Sequence, residues 1–219
     1  MSARDRILNR LKSRLSDGGP AEVRSAAVDE RLTTPMGRAP RPTQSRTEAE
    51  ARIAQFMAKA EAADATTSRV ASFDDLPAAL SDQLRNRNLG QSVRMGEDPA
   101  LGGLDWGQIE TSKGVGRIEE PATLSVAPYA LAETGTLALC SGPDNPVTLT
   151  FLGETHFVAV KASDIHAGFE DLFAEHRASG RDPRTVNFVT GPSRSADIGQ
   201  QLQLGAHGPV ALHIFVVGE

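Results

Sequence analysis

The sequence predicts an open α/β fold with a largely parallel sheet and an N-terminal helical appendage. Three observations carry this. Strand-like and helix-like patterns alternate from residue 65 onward at the spacing of βαβ units. The last apolar run, Ala211-Leu212-His213-Ile214-Phe215-Val216-Val217, is apolar on both faces, as a strand covered from two sides should be. The stretch before residue 65 is net basic and bears prolines, whereas the rest is net acidic. The division implied is an appendage and linker over 1–64 and an α/β domain over 65–219.

Each element has its own signal. Ser2–Leu15 reads as a short helix, because Ile7, Leu8, Leu11 and Leu15 fall on one stripe. Ser16-Asp17-Gly18-Gly19-Pro20 stops it. Residues 18–45 carry Pro20, Pro35, Pro40 and Pro42 and few large apolar side chains, so an extended linker is expected. Thr47–Ala63 reads as a second helix, with Thr47 and Glu50 as a capping box and Ile53, Phe56, Met57 and Ala60 as its buried face. Strands are expected at Thr67–Val70, Ser92–Met95, Thr123–Ala127, Thr136–Cys140, Phe157–Val160, Thr185–Thr190 and Val210–Val217. Helices are expected at Asp74–Arg87, Ile165–Ser179 and Ser195–Leu204.

Composition narrows the function. The chain has 219 residues, 39% of them hydrophobic and 23% charged, enough to build a packed core. A net charge of -5 argues against a nucleic-acid binder. No apolar run approaches the roughly 20 residues of a membrane span, and Met1–Asp17 has no secretory h-region. A cytoplasmic protein is expected. The single cysteine, Cys140, rules out an internal disulfide, a four-cysteine zinc site and an iron–sulfur cluster held by this chain alone. It reads as a packed thiol. No HxxxH or HExxH spacing exists, so no metal is expected.

Three segments could carry chemistry. The strand Val186–Thr190 runs into Gly191-Pro192-Ser193-Arg194-Ser195, ahead of an expected helix. In open α/β sheets ligands bind at the carboxyl ends of strands, and a helix start favours an anion. Ser193 and Ser195 would add hydroxyls, and Arg194 a planar cation. With the N–H groups of residues 194–197 they would cradle a small anionic ligand. The competing reading makes the serines N-caps and pairs Arg194 with Asp197. Second, Glu133 sits on the Gly-containing turn Ala132-Glu133-Thr134-Gly135-Thr136. It could be a nucleophile, a general base or a ligand acceptor, or could hold loop N–H groups. Third, Gly205-Ala206-His207-Gly208-Pro209 offers His207 as a base or orienting donor, or as a ring bonding its own turn. His156 heads a strand and is a further candidate. His166 and His176 are expected to be solvated, and His213 packed.

Taken in order, Ala132–Thr136, the run Thr190-Gly191-Pro192-Ser193-Arg194-Ser195-Ala196-Asp197-Ile198 and Gly205–Pro209 resemble the lactate-utilization protein C family and its lactate-utilization (LUD) domain. The resemblance covers residues 65–219 and takes in His156 in Gly-Glu-Thr-His. It implies a fold similar to the CoA-transferase and ribose-phosphate-isomerase-like domain. It also implies catalytic-type roles for Glu133 and His207, with Thr190, Gly191, Ser193, Arg194, Ser195 and His156 as ligand-binding residues. Many relatives carry an Arg and a Ser-Leu-Leu-Pro-like run ahead of the strand-head histidine. This chain instead has Asp144–Gly153 there. The family implies a part in oxidising L-lactate to pyruvate, beside partner subunits that hold the iron–sulfur clusters; this chain binds no cofactor of its own. A rival reading is an acyl- or CoA-transferase-like enzyme with Glu133 as nucleophile. The arm of residues 1–64 must dock on its own domain, on a second copy or on a partner, because a helix of about 14 residues is marginal alone in water.

Overall fold

The computed structural model describes residues 2–16, 19–33, 42–47, 49–118, 120–195 and 203–218. They fall into two compact units, Met1–Arg41 and Pro42–Glu219. The first unit holds α1 (Ala3–Ser16) and α2 (Ala21–Thr33). Ser2 starts α1. Its hydroxyl accepts the Asp5 N–H at 3.1 Å, and the Asp5 carboxylate accepts the Ser2 N–H at 2.9 Å. This reciprocal pair satisfies donors that a helix start leaves open. α2 corrects the expected linker over 18–45. Its Ala, Glu and Arg content favours a helix, and Pro20 and Pro35 flank it rather than interrupt it. Nothing in α2 is buried. Ile7, Leu11 and Leu15 of α1 and Leu32 of α2 are exposed.

The second unit opens with α3 (Ala49–Ala62) and β1 (Thr66–Val70). Then come α4 (Leu76–Asn86), β2 (Ser92–Met95), β3 (Glu110–Lys113), β4 (Ala122–Ala127), β5 (Tyr129–Leu131) and β6 (Thr136–Cys140). α5 (Val147–Phe151), β7 (Thr155–Lys161), β8 (Ile165–His166), α6 (Phe169–Ala178) and β9 (Val186–Val189) follow. β10 (Arg194–Ser195), β11 (Gln203–Leu204) and β12 (Ala211–Val217) complete it. Six strands form one sheet in the order β1-β12-β7-β4-β2-β3, parallel throughout. A second sheet, β8-β5-β6-β9, is mixed.

Alternation of side chains across the strands builds two cores, one on each face of the parallel sheet. Phe157 and Ala159 of β7 and Phe215 and Val217 of β12 pack with Leu76, Leu80 and Leu84 of α4. Val158, Val160, Ile214 and Val216 face the other way, onto Ile53, Phe56 and Ala60 of α3 and Leu137 and Leu139 of β6. The far side of the second sheet is closed by Leu172 of α6. The layers are therefore α4, parallel sheet, α3 with the second sheet, and α6. Both faces of β7 and β12 are covered, which is why Phe157–Val160 and Ile214–Val217 are apolar without a break.

Several expectations are corrected here. Fully buried Phe56 and Ala60 make α3 part of the α/β core, and the second compact unit begins at Pro42. α3 begins two residues after Thr47, whose hydroxyl is buried without a hydrogen bond, so the expected capping box is not formed. Thr123–Ala127 and Thr136–Cys140 do not flank a simple turn; β5 lies between them and pairs with β6. The helix expected over Ile165–Ser179 starts only at Phe169, because Ile165 and His166 pair with Ala130 and Leu131. The ends of the helix expected over Ser195–Leu204 are instead antiparallel strands, Arg194–Ser195 against Gln203–Leu204. Residues 196–202 lie outside the described residues. α5, β3 and β5 were not expected.

Candidate functional site

The three motifs meet as a chain of turns beside the second sheet. Gly135 and Gly191 both have positive φ, +69° and +72°. Both turns press on the end of α3. A Cβ on Gly135 would lie 2.3 Å from the Ala60 nitrogen, and one on Gly191 would lie 1.9 Å from the Ala63 carbonyl oxygen. Only glycine meets both demands. β6 and β9 then bring the first two motifs together through hydroxyls. Thr136 Oγ1 lies 2.7 Å from Thr134 Oγ1 and 2.6 Å from Thr190 Oγ1.

The second and third motifs are joined more tightly. The Ser193 N–H donates to the Pro209 carbonyl at 2.9 Å, and the Gly205 N–H to the Ser193 carbonyl at 3.2 Å. Ser193 Oγ accepts the His207 backbone N–H at 3.2 Å. Arg194 Nη1 donates to the Ser193 carbonyl at 3.0 Å and the Val210 carbonyl at 2.9 Å. Its Nε lies 3.5 Å from Asp64. Arg194 thus ties this loop to the start of β12 and to the turn after α3. Ser195 sits in β10.

Glu133 points elsewhere. It is 8% exposed, and its Oε1 accepts the Phe169 N–H at 3.1 Å, the first N–H of α6. A carboxylate there is favoured by the open donors and dipole of a helix start. Its own N–H bonds the Ala167 carbonyl. This favours the helix-holding reading over the nucleophile. Ser193, Arg194 and His207 form one cluster; Glu133 hydrogen-bonds outside it, to α6.

His156 is fully buried in β7, with Nε2 3.0 Å from Ser125 Oγ and Nδ1 unpartnered. Burial pushes its pKa down to about 3, so the ring is neutral. His213 is packed as expected, between Thr66 Oγ1 at 2.7 Å and Ser68 Oγ at 3.0 Å, with its pKa pushed down to about 4, mainly by burial. His166 and His176, expected in solvent, are instead half-buried, each with its ring against Tyr129, His166 from β8 and His176 from α6. Cys140 is buried, and burial pushes its thiol up, as suits a packed cysteine.

An open cleft of about 530 Å³ is lined by Phe151, Glu154, His207, Gly208 and Val210, ahead of β7 and β12. It therefore lies at the amino ends of the parallel strands. The expected carboxyl-end cradle follows β9, an edge strand of the second sheet and not a member of the parallel one, and its residues 196 and 197 lie outside the described residues. Its start-of-helix donors are also missing at Arg194 and Ser195, which are strand. What the cleft offers is an exposed imidazole near a carboxylate. Among the described residues, no three His, Cys, Asp or Glu side chains gather closely enough to hold a metal ion. Asp64 and Ser125, the partners of Arg194 and His156, carry no signal in the sequence; only the fold reveals them.

Residues 121–217 match the family model described as the LUD domain. The chain is 29% identical to lactate utilization protein C of Bacillus subtilis over 71% of its length and 68% of that protein. It is 29% identical to the uncharacterized protein YkgG of Escherichia coli over 71% of this chain and 69% of that one. An uncharacterized protein of Neisseria meningitidis is 36% identical over 97 residues, and there the chain spans 42% of the relative's length. A solved DUF162-family protein of Deinococcus radiodurans superposes with a TM-score of 0.61 at 22% identity, over 76% of this chain and 96% of that one, which establishes the shared fold. Residues 121–217, which hold the ordered turns around Glu133, Arg194 and His207, are thus similar to the LUD domain.

Proposed function

We propose that this chain serves lactate utilization as a non-redox component, beside partner proteins whose iron–sulfur clusters oxidise L-lactate to pyruvate. The observation that carries this reading is the similarity to lactate utilization protein C over 71% of the chain. The sole cysteine supports it, being buried, with its thiol pKa raised, and so poorly placed to ligate a cluster. In this reading the basic helix α1, with Ile7, Leu11 and Leu15 exposed, supplies a contact surface for the partner.

Affinity purification from the source cell, together with deletion of the gene, tests it. The expected result is co-purifying iron–sulfur protein and poor growth on L-lactate as sole carbon source. Recovery free of any iron–sulfur protein, with normal growth after deletion, contradicts it. Removing residues 1–41 should cost partner recovery while leaving the melting temperature of the second unit unchanged.

A further inference from the structure

The second sheet ends at β9, which pairs with β6 on one side only. The Ser141 N–H donates to the Thr185 carbonyl at 2.9 Å, and this fixes the phase of the ladder. Alternate residues bond across an antiparallel pair, so Thr185, Asn187 and Val189 turn their backbone groups to β6. Val186 and Phe188 turn theirs outward, where they meet no backbone partner among the described residues. Such an edge is a template for a further strand.

The same two residues carry an apolar face on the α6 side of the sheet. Val186 packs on the cluster that holds Leu172 of α6. The Phe188 ring lies 5.3 Å from that of Phe169 and 6.1 Å from that of Phe173. Phe173 is 39% exposed and Phe188 41%, so this aromatic group opens to solvent beside the bare edge. Glu170, Phe173 and Arg177 follow at i, i+3 and i+7 and form one stripe of α6. All three are exposed, and neither charge has an ion pair among the described residues.

We propose that β9 pairs antiparallel with β9 of a second copy of this chain about a twofold axis, with Asn187 opposite Asn187 and Val186 opposite the copy's Phe188. An axis normal to the sheet keeps each side chain on its own face, so only residues of the same face can stand opposite each other. This register meets that condition and joins the outward backbone groups. Val186 and the copy's Phe188 exchange two N–H···O bonds, and the symmetry repeats the exchange. It also sets Phe188 beside the copy's Val186, an aromatic and β-branched pair that antiparallel sheets favour. The two α6 stripes run in opposite directions, so the acid at Glu170 of each lies toward the base at Arg177 of the other. The face thus complements itself in hydrogen bonds, apolar contact and charge. The pairing does not rest on the lactate reading.

Sedimentation velocity of the full chain from about 1 µM to about 500 µM tests it. The expected result is a monomer passing into a dimer with a Kd that is roughly micromolar or weaker, since one short edge buries little area. Phe188→Lys places a charge on the edge and should weaken the dimer by at least roughly tenfold. Glu170→Lys should weaken it severalfold, and adding Arg177→Glu to that variant should restore it. A cysteine pair, Arg184→Cys with Thr190→Cys, gives a readout that does not depend on those variants folding. Within one chain the two positions lie roughly 20 Å apart along the strand, but they stand opposite each other across the twofold axis. Mild oxidation should therefore yield a covalent dimer. A monomer over the whole range, an unchanged Kd in Phe188→Lys, a charge swap that restores nothing, or a cysteine pair that yields no covalent dimer overturns the proposal.

Discussion

The two ends of the parallel sheet are built on opposite terms. At the amino end, the loops around Ser193 and Gly205–Val210 spend their polar groups on one another. Arg194 holds two carbonyls, Ser193 holds the His207 turn, and the histidines His156 and His213 sit neutral in the first halves of β7 and β12. At the carboxyl end, Lys161 and Arg181 face an incompletely bonded Asn145. The motif-bearing end is thus engaged in holding the fold together, while at the other end the charged side chains meet at longer range, Arg181 reaching Asp144 at 4.0 Å. Residue types that suggest chemistry in a sequence can be fully occupied in structure.

Acid should separate the two ends most strongly. The folded-state pKa values of His156 and His213, about 3 and about 4, lie below the ordinary value of 6.5. The unfolded chain therefore binds more protons, and stability is lost as pH falls below 6.5. Each ring contributes about 1.4 kcal/mol per pH unit, so at pH 5 the two together cost about 4 kcal/mol. At the carboxyl end the sign reverses. The raised pKa of Asp98 favours the folded state as pH falls through it, and that contribution is lost again as pH rises. Urea unfolding at pH 7 and pH 5 measures the net loss. His156→Gln should flatten the dependence, and an unchanged slope in that variant contradicts the assignment.

Smaller effects sharpen the contrast. Gly191→Ala forces a positive φ on alanine and drives its Cβ into the Ala63 carbonyl, which should cost at least about 2 kcal/mol. With a domain of this size, that lowers the melting temperature by roughly 4–8 °C. Arg194→Ala removes two charged donors from carbonyls; with its side chain 30% exposed, the expected loss is about 1–2 kcal/mol. Arg181→Ala breaks only a 4.0 Å contact between exposed groups and should change stability by less than about 0.5 kcal/mol.

The parallel sheet was legible because β7 and β12 are covered on both faces and carry nearly unbroken apolar runs. α2 was hidden because prolines dominate the composition around it, although they flank the helix. β5 and β8 are too short for a period to emerge, and their pairing is set by the neighbouring strand rather than by their own residues. For the site, the closeness of Ser193, Arg194 and His207 followed the order of the motifs. What the sequence could not convey was that these groups would satisfy each other. A charge directly after an apolar run, as at Lys161, was the available signal for the other end, but Arg181 and Asn145 join it only through the fold.

The most direct test compares the melting temperatures of Arg194→Ala and Arg181→Ala with that of the parent under the same conditions. Arg194→Ala, which loses the bonds to the Ser193 and Val210 carbonyls, should melt lower than the parent, whereas Arg181→Ala, which loses only a 4.0 Å contact, should melt like it. The opposite pairing, with Arg181→Ala melting lower and Arg194→Ala melting like the parent, would contradict the contrast between the two ends of the sheet.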